Sequence, residues 1–209
     1  MGKITPRLES AARAPDNPCM DPAAYLSGQI LIALPAIGDP RFERAVVLVF
    51  AHDAEHAMGL VLNRRLERLT LGEVLDQLSL PCPEARRGEA VLLGGPVQRE
   101  RGFVLHTDDF RASDGSTLAP PGGLSCTPTR EVLEALSRAD PAPRRSRLAL
   151  GYAGWGPGQL EEELRRNVWL TCPADEALVF DTPQAGLWTA ALGRLGIDPS
   201  FLTAEAGQA

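Results

Sequence analysis

Three histidines, four cysteines and one glycine-dense segment are where this chain of 209 residues could do chemistry. His52 and His56 stand four residues apart with Asp53 and Glu55 between them. On a helix that spacing would let both imidazoles share a metal. The flanking runs Ala45 to Ala51 and Ala57 to Leu62 read as paired strands, so the four residues fall in a hairpin loop. A solvated loop and no metal are expected there. His106 is followed by Thr107, Asp108 and Asp109, so a histidine–carboxylate contact is available. No Gly-x-Ser-x-Gly elbow supplies a nucleophile, and no triad is assigned. Cys19, Cys82, Cys126 and Cys172 form no Cys-x-x-Cys pair and no zinc spacing. They are expected to be plain buried or surface thiols.

The glycine-dense segment is Gly151-Tyr-Ala-Gly-Trp-Gly-Pro-Gly158. An apolar run, Leu148 to Gly151, precedes it, and a helix-like run, Gln159 to Arg166, follows. Strand, glycine-rich turn and helix N-terminus are the parts of a phosphate cradle. Yet the pattern is neither Gly-x-Gly-x-x-Gly with a ribose-binding acid nor the Gly-x-x-x-x-Gly-Lys loop. Glu161, Glu162 and Glu163 sit in the first helical turn, where carboxylates complement the dipole and repel an anion. The glycines are therefore expected to shape a tight turn leading from strand to helix.

A wider constellation joins Asn63-Arg64, Gly94-Gly-Pro96, Arg101-Gly102, His106 and the stretch Tyr152 to Gln159. All fall at expected strand ends or adjoining turns, which can converge on one rim. Asn63, Arg101, His106, Tyr152, Trp155 and Gln159 are thus candidate ligand-binding residues. In the alternative reading the glycines shape turns, Asn63 and Gln159 satisfy backbone groups, and Trp155 and Trp169 fill the core. No catalytic residue and no cofactor is assigned.

The totals exclude other jobs. The net charge of −6 disfavours direct nucleic-acid binding, which needs a basic stripe. Arg144-Arg145-Ser-Arg147 is the dense basic cluster; after Pro141 and Pro143 it reads as a solvated loop. No apolar run reaches the roughly 18 residues of a membrane span. Residues 1–22 mix charges and prolines without an apolar centre, so no secretory signal is expected. They read as a disordered extension, with Met20 as an alternative start, before a single domain over 23–209. A cytoplasmic protein is the default.

Strands are expected at Gln29 to Leu34, Ala45 to Ala51, Ala57 to Leu62, Ala90 to Leu93, Gly102 to His106, Ser146 to Tyr152, Val168 to Cys172 and Leu178 to Phe180. Asp39-Pro40 opens a short helical turn. Thr70 and Glu73 form a capping box. Further helices start at Thr127-Pro128, at Gln159 and at Thr182-Pro183, the last with Leu187, Trp188, Ala191, Leu192 and Leu195 inward and Gly196 as its stop. Residues 107–123 form a long loop with a short strand near Leu118. Strands come in pairs between helices, so the class is α+β, with a curved, mainly antiparallel or mixed sheet.

Ordered pieces of the chain resemble the YqgE/AlgH family. They are Leu31-Ile-Ala-Leu-Pro35 with Asp39-Pro-Arg-Phe-Glu-Arg44, then Ala57-Met-Gly-Leu60 with Asn63, then Leu93-Gly-Gly-Pro-Val97 with Arg101-Gly-Phe-Val-Leu-His106. Leu150-Gly-Tyr-Ala-Gly-Trp155, Gln159-Leu-Glu161, Asn167-Val-Trp-Leu170 and Phe180-Asp-Thr-Pro183 complete the set. The resemblance implies a strongly bent, split sheet forming a pseudo-barrel flanked by helices. It also implies a bacterial cytosolic protein, and some members of the family are labelled transcriptional regulators. Two departures stand out: Thr127-Pro128-Thr129 replaces a Thr-Thr-Ser stretch, and Ala206-Gly-Gln-Ala209 replaces a terminus with histidine. The leading expectation is a non-enzymatic regulatory or interaction protein, for which a protein partner is open. The alternative is a small-ligand binder or enzyme using the rim.

Overall fold

In the computed structural model, residues 25–138 and 141–202 are described. The expected N-terminal extension, Cys19 and the altered C-terminus lie outside these residues. Strands β1 (Gln29–Ala33), β2 (Val46–His52) and β3 (Ala57–Val61) form an antiparallel meander. Their β-branched side chains favour the pleat. Strand β4 (Arg65–Thr70) leads into helix α1 (Leu71–Gln77), and Thr70 and Glu73 make the reciprocal capping box. Strands β5 (Ala90–Leu93), β6 (Val97–Thr107) and β7 (Leu124–Thr127) precede helix α2 (Arg130–Arg138). Then come β8 (Ser146–Trp155), α3 (Gln159–Arg165), β9 (Trp169–Pro173) and α4 (Leu187–Arg194).

The nine strands form one mixed sheet in which β5–β8 is the parallel pair. Strand β8 joins its halves. The first half of β8 pairs with β5 and β6, and the second with β3. The split sheet of the expectation is therefore present. It is open rather than closed: the path runs from β4 to β9, with β6 and β7 branching from β8.

Alternation along β1 sends Ile30 and Ile32 to one face and Leu31 and Ala33 to the other, and all four are buried. The first face of both sheet halves enters one core, where the rings of Phe50 and Phe103 lie 5.9 Å apart under Trp188 and Leu192 of α4. Helix α3 covers the opposite face of β1–β3, and α1 and α2 cover that of β5 and β6. Among the described residues, no helix is long and apolar enough to cross a membrane.

Several local expectations are corrected. The strand expected to end at Tyr152 runs on through Ala153 to Trp155, and the turn is confined to residues 156–158. Leu178 to Phe180 is part of a π-helical turn, Ala177–Asp181, because Asp175 Oδ1 takes the Leu178 N–H and its carbonyl takes that of Val179. Thr182 does not cap α4, which is preceded by Gly186 without a side-chain cap. Leu195 lies outside the core at 38 % exposure.

Candidate functional site

The two glycine segments meet each other. As β5 ends, the Gly94 N–H donates to Leu150 O and the Gly94 carbonyl accepts from Val61 N–H, so the chain threads between β8 and β3. A Cβ on Gly94 would lie 2.3 Å from Gly151 O, and one on Gly95 would lie 2.1 Å from the Tyr152 carbonyl carbon. Gly151 itself has φ +72°, with Gly95 O at 2.6 Å from an added Cβ. Three glycines are thus required because one backbone crosses another with no room for side chains.

The six rim candidates do not gather at one place. Trp155 and Gln159 do share a neighbour, Glu163. Its Oε2 accepts from the Trp155 and Trp169 indoles at 2.9 and 2.7 Å, and its Oε1 accepts from Gln159 at 2.9 Å. Tyr152 packs edge-on against Phe103 at the border of the central core. The Arg101 guanidinium lies 5.1 Å from the centre of the same Phe103 ring and donates to Gln98. Asn63 acts as a clamp, accepting from Val46 N–H at 3.0 Å and donating to Arg44 O at 2.8 Å. Asn63 also lines a cavity of about 650 Å³ with Pro35, Asp39, Arg44 and Trp188, to which none of the other five contributes.

His106 is wholly buried and so lies on no rim. Its Nδ1 lies 2.6 Å from Thr107 O, so it carries the proton and donates. Nε2 then accepts from the Thr127 hydroxyl at 2.9 Å, which accepts in turn from Thr117 at 2.8 Å. Burial pushes its pKa below the usual histidine value. The histidine–carboxylate contact open to Asp109 in the sequence is not made; Asp109 accepts from the Thr107 hydroxyl and the Arg144 N–H.

His52 is also sequestered, contrary to the solvated loop expected. It ends β2, its side chain is 2 % exposed, and it is fixed between the Leu26 N–H and Glu161 Oε1 at 3.0 and 2.8 Å. His56 remains exposed beside Asp53. Among the described residues no cluster of histidine, cysteine and carboxylate groups could hold a metal. Burial raises the pKa of Cys172 and pushes that of Cys126 up to about 12.

Arg144 lies in an exposed loop as expected, but two arginines of the basic cluster are paired with carboxylates and Arg147 is drawn into the fold. Arg144 pairs with Glu176, and Arg145 pairs with Asp181 and covers the Phe180 ring. Arg147 is half-buried and donates to Phe180 O at 3.1 Å. Desolvation lowers its pKa. With Arg86, which is bound to Glu89 and Ser146, they line a cavity of about 710 Å³.

A smaller cavity of about 310 Å³ draws together three segments singled out in the sequence. Arg41 and Phe42 come from the turn after Asp39, Arg64 from the residue after Asn63, and Gly95 and Pro96 from the glycine crossing. Val61, Leu93 and Arg99 complete it. Asp39 holds Arg41 in a fork at 2.7 to 3.1 Å, and its own pKa is lowered by that contact. Arg64 donates to Glu43 O at 2.9 Å, which ties the turn to the sheet. Sequence reasoning missed Arg99: nothing in Gln98-Arg-Glu-Arg101 distinguishes one arginine from the other. The distinction is made by Gln98, whose φ of +46° lies where β6 shifts register between Val97 and Gly102.

The relatives agree with this architecture. A family model described as AlgH-like matches residues 30–200. A UPF0301 protein of Caulobacter vibrioides is 53% identical over 189 residues, covering 90% of this chain and 96% of its own. A UPF0301 protein of Rhodospirillum rubrum is 48% identical, covering 88% and 95%. The solution structure of the AlgH protein from Pseudomonas aeruginosa is similar with a TM-score of 0.71 at 42% identity, over 96% of this chain and all of that one. A crystal structure from Corynebacterium diphtheriae, at 21% identity and a TM-score of 0.64 over 85% and 89% of the chains, shares the fold. On these matches the chain belongs to the AlgH-like family.

Proposed function

We propose that this protein is a non-enzymatic interaction protein that works by binding a protein partner. The observation that carries the reading is that two of the three histidines, His52 and His106, are engaged in holding the fold. Both nitrogens of His106 and both of His52 are hydrogen-bonded inside the protein. A general base needs a nitrogen that can reach a substrate. Action in the bacterial cytoplasm and an indirect effect on transcription belong to the same proposal; they draw on the family resemblance. Pairing of Arg144 and Arg145 with Glu176 and Asp181 favours an indirect route over direct DNA contact.

The test is in-cell cross-linking from a tagged chromosomal copy, followed by purification of each recovered protein. At least one should form a stoichiometric complex with the purified chain in sedimentation analysis. Failure of every purified candidate to bind would overturn the reading. So would substrate turnover by the purified chain that is abolished by one side-chain substitution.

A further inference from the structure

The geometry points to an anion site in the cavity of about 310 Å³ between the Asp39 turn and the glycine crossing, shaped for a small phosphate monoester. Arg41, Arg64 and Arg99 line it, and no acidic residue does. Its remaining walls are Phe42, Val61, Leu93, Gly95 and Pro96. Guanidinium groups around an apolar floor are the chemistry that takes a phosphate at one end and a small ring or alkyl group at the other.

The charge balance sets this cavity apart from the larger arginine-lined one. There Arg86, Arg144 and Arg145 each have a carboxylate, on Glu89, Glu176 and Asp181. Here only Arg41 has one, on Asp39. Arg64 binds main-chain oxygens of Pro40 and Glu43 through Nη2 alone, leaving its Nε and Nη1 donors available among the described residues. Arg99 forms no ion pair with a carboxylate among the described residues, in a chain whose net charge is −6. Arg64 is half-buried and Arg99 is exposed at the mouth, so an anion reaching the cavity would meet two guanidinium groups that no carboxylate already neutralises. The size also fits: about 310 Å³ is at the lower end for small-molecule sites, roughly 300–1,000 Å³.

The site is independent of the protein-partner reading, because its readout needs only the purified chain. The experiment is a titration of the 15N-labelled chain with inorganic phosphate and with phenyl phosphate, at constant ionic strength against chloride. Saturable shifts are expected at the Nε–H groups of Arg41, Arg64 and Arg99 and at the amides of residues 93–99. Phenyl phosphate should bind about tenfold more tightly than inorganic phosphate, since its ring is covered by Phe42, Leu93 and Pro96. Arg99→Gln should weaken both about tenfold, the loss of one charge-assisted contact, with an unchanged melting temperature. Arg41→Gln should do the same. Linear shifts equal to those caused by chloride would overturn the proposal, as would binding indifferent to both substitutions. Equal affinity for the two phosphates would remove the apolar floor from the site and with it the monoester. Binding of a phosphoserine peptide without any response to the two small phosphates would replace the small ligand with a protein.

Discussion

Trp155 and Trp169 stand edge to face with ring centres 6.1 Å apart, and both indole N–H groups donate to a single oxygen, Oε2 of Glu163. One lies at the end of β8, the other at the start of β9, and α3 between them supplies the carboxylate. Both tryptophans are at least 95% buried, while Glu163 is only partly so. Replacing Glu163 with Ala should cost about 2–4 kcal/mol, because two buried donors lose their partner. Glu163→Gln keeps an acceptor oxygen and should cost about 1 kcal/mol. Urea unfolding followed by tryptophan fluorescence measures both; equal effects would show that the carboxylate does not organise the pair.

The glycines of the crossing are not equivalent, and alanine substitution should rank them. Gly95→Ala would put a Cβ 2.1 Å from the Tyr152 backbone, so little or no folded protein is expected. Gly151→Ala combines φ +72° with a contact at 2.6 Å and should be nearly as severe. Gly158→Ala meets nothing but keeps φ +70°, costing about 1–2 kcal/mol. Gly156→Ala has neither obstacle and should fall within about 0.5 kcal/mol of the parent. Thermal melts of the four variants give the order directly.

His106 predicts a definite pH dependence. Its folded pKa lies below the unfolded value of 6.5, so below that pH the unfolded chain binds the extra proton. The contribution is therefore complete above about 6.5 and is lost as pH falls from there toward the folded pKa. Denaturation midpoints should drop across that window in the parent protein. His106→Gln should lower stability at pH 7.5 and flatten the slope below 6.5. An unchanged slope would assign the effect to other groups.

Cysteine reactivity should follow burial. With a pKa near 12, the Cys126 thiolate fraction at pH 8 is about 10⁻⁴, and the sulfur is wholly covered. Native protein treated with iodoacetamide should show no label at Cys126 by peptide mass mapping, and full label in urea. Cys82, only partly buried, should react in the native state.

Local chemistry was legible wherever near neighbours in the chain settle it. The Asp39-Pro40 turn, the Thr70–Glu73 capping box and the β1–β3 meander each follow from residues a few positions apart. Strand β4 was missed because Arg-Leu-Glu-Arg-Leu-Thr70 is a charged edge strand with no buried alternation to announce it. The segment Leu178 to Phe180 was misread because an apolar triplet suits a strand or a tight helical turn equally; Asp175 decides between them.

The amino-acid order alone determined the α+β class, most element positions and the family. It also identified glycines as architectural without revealing what they accommodate. Only the tertiary fold decided that Gly94 and Gly95 face Gly151 and Tyr152, that His106 is sealed among Thr107, Thr117 and Thr127, and that Arg41, Arg64 and Arg99 share a cavity. The reason is physical. Propensity and capping act over a few residues, whereas burial, desolvation and the meeting of charges depend on partners brought together from distant parts of the chain.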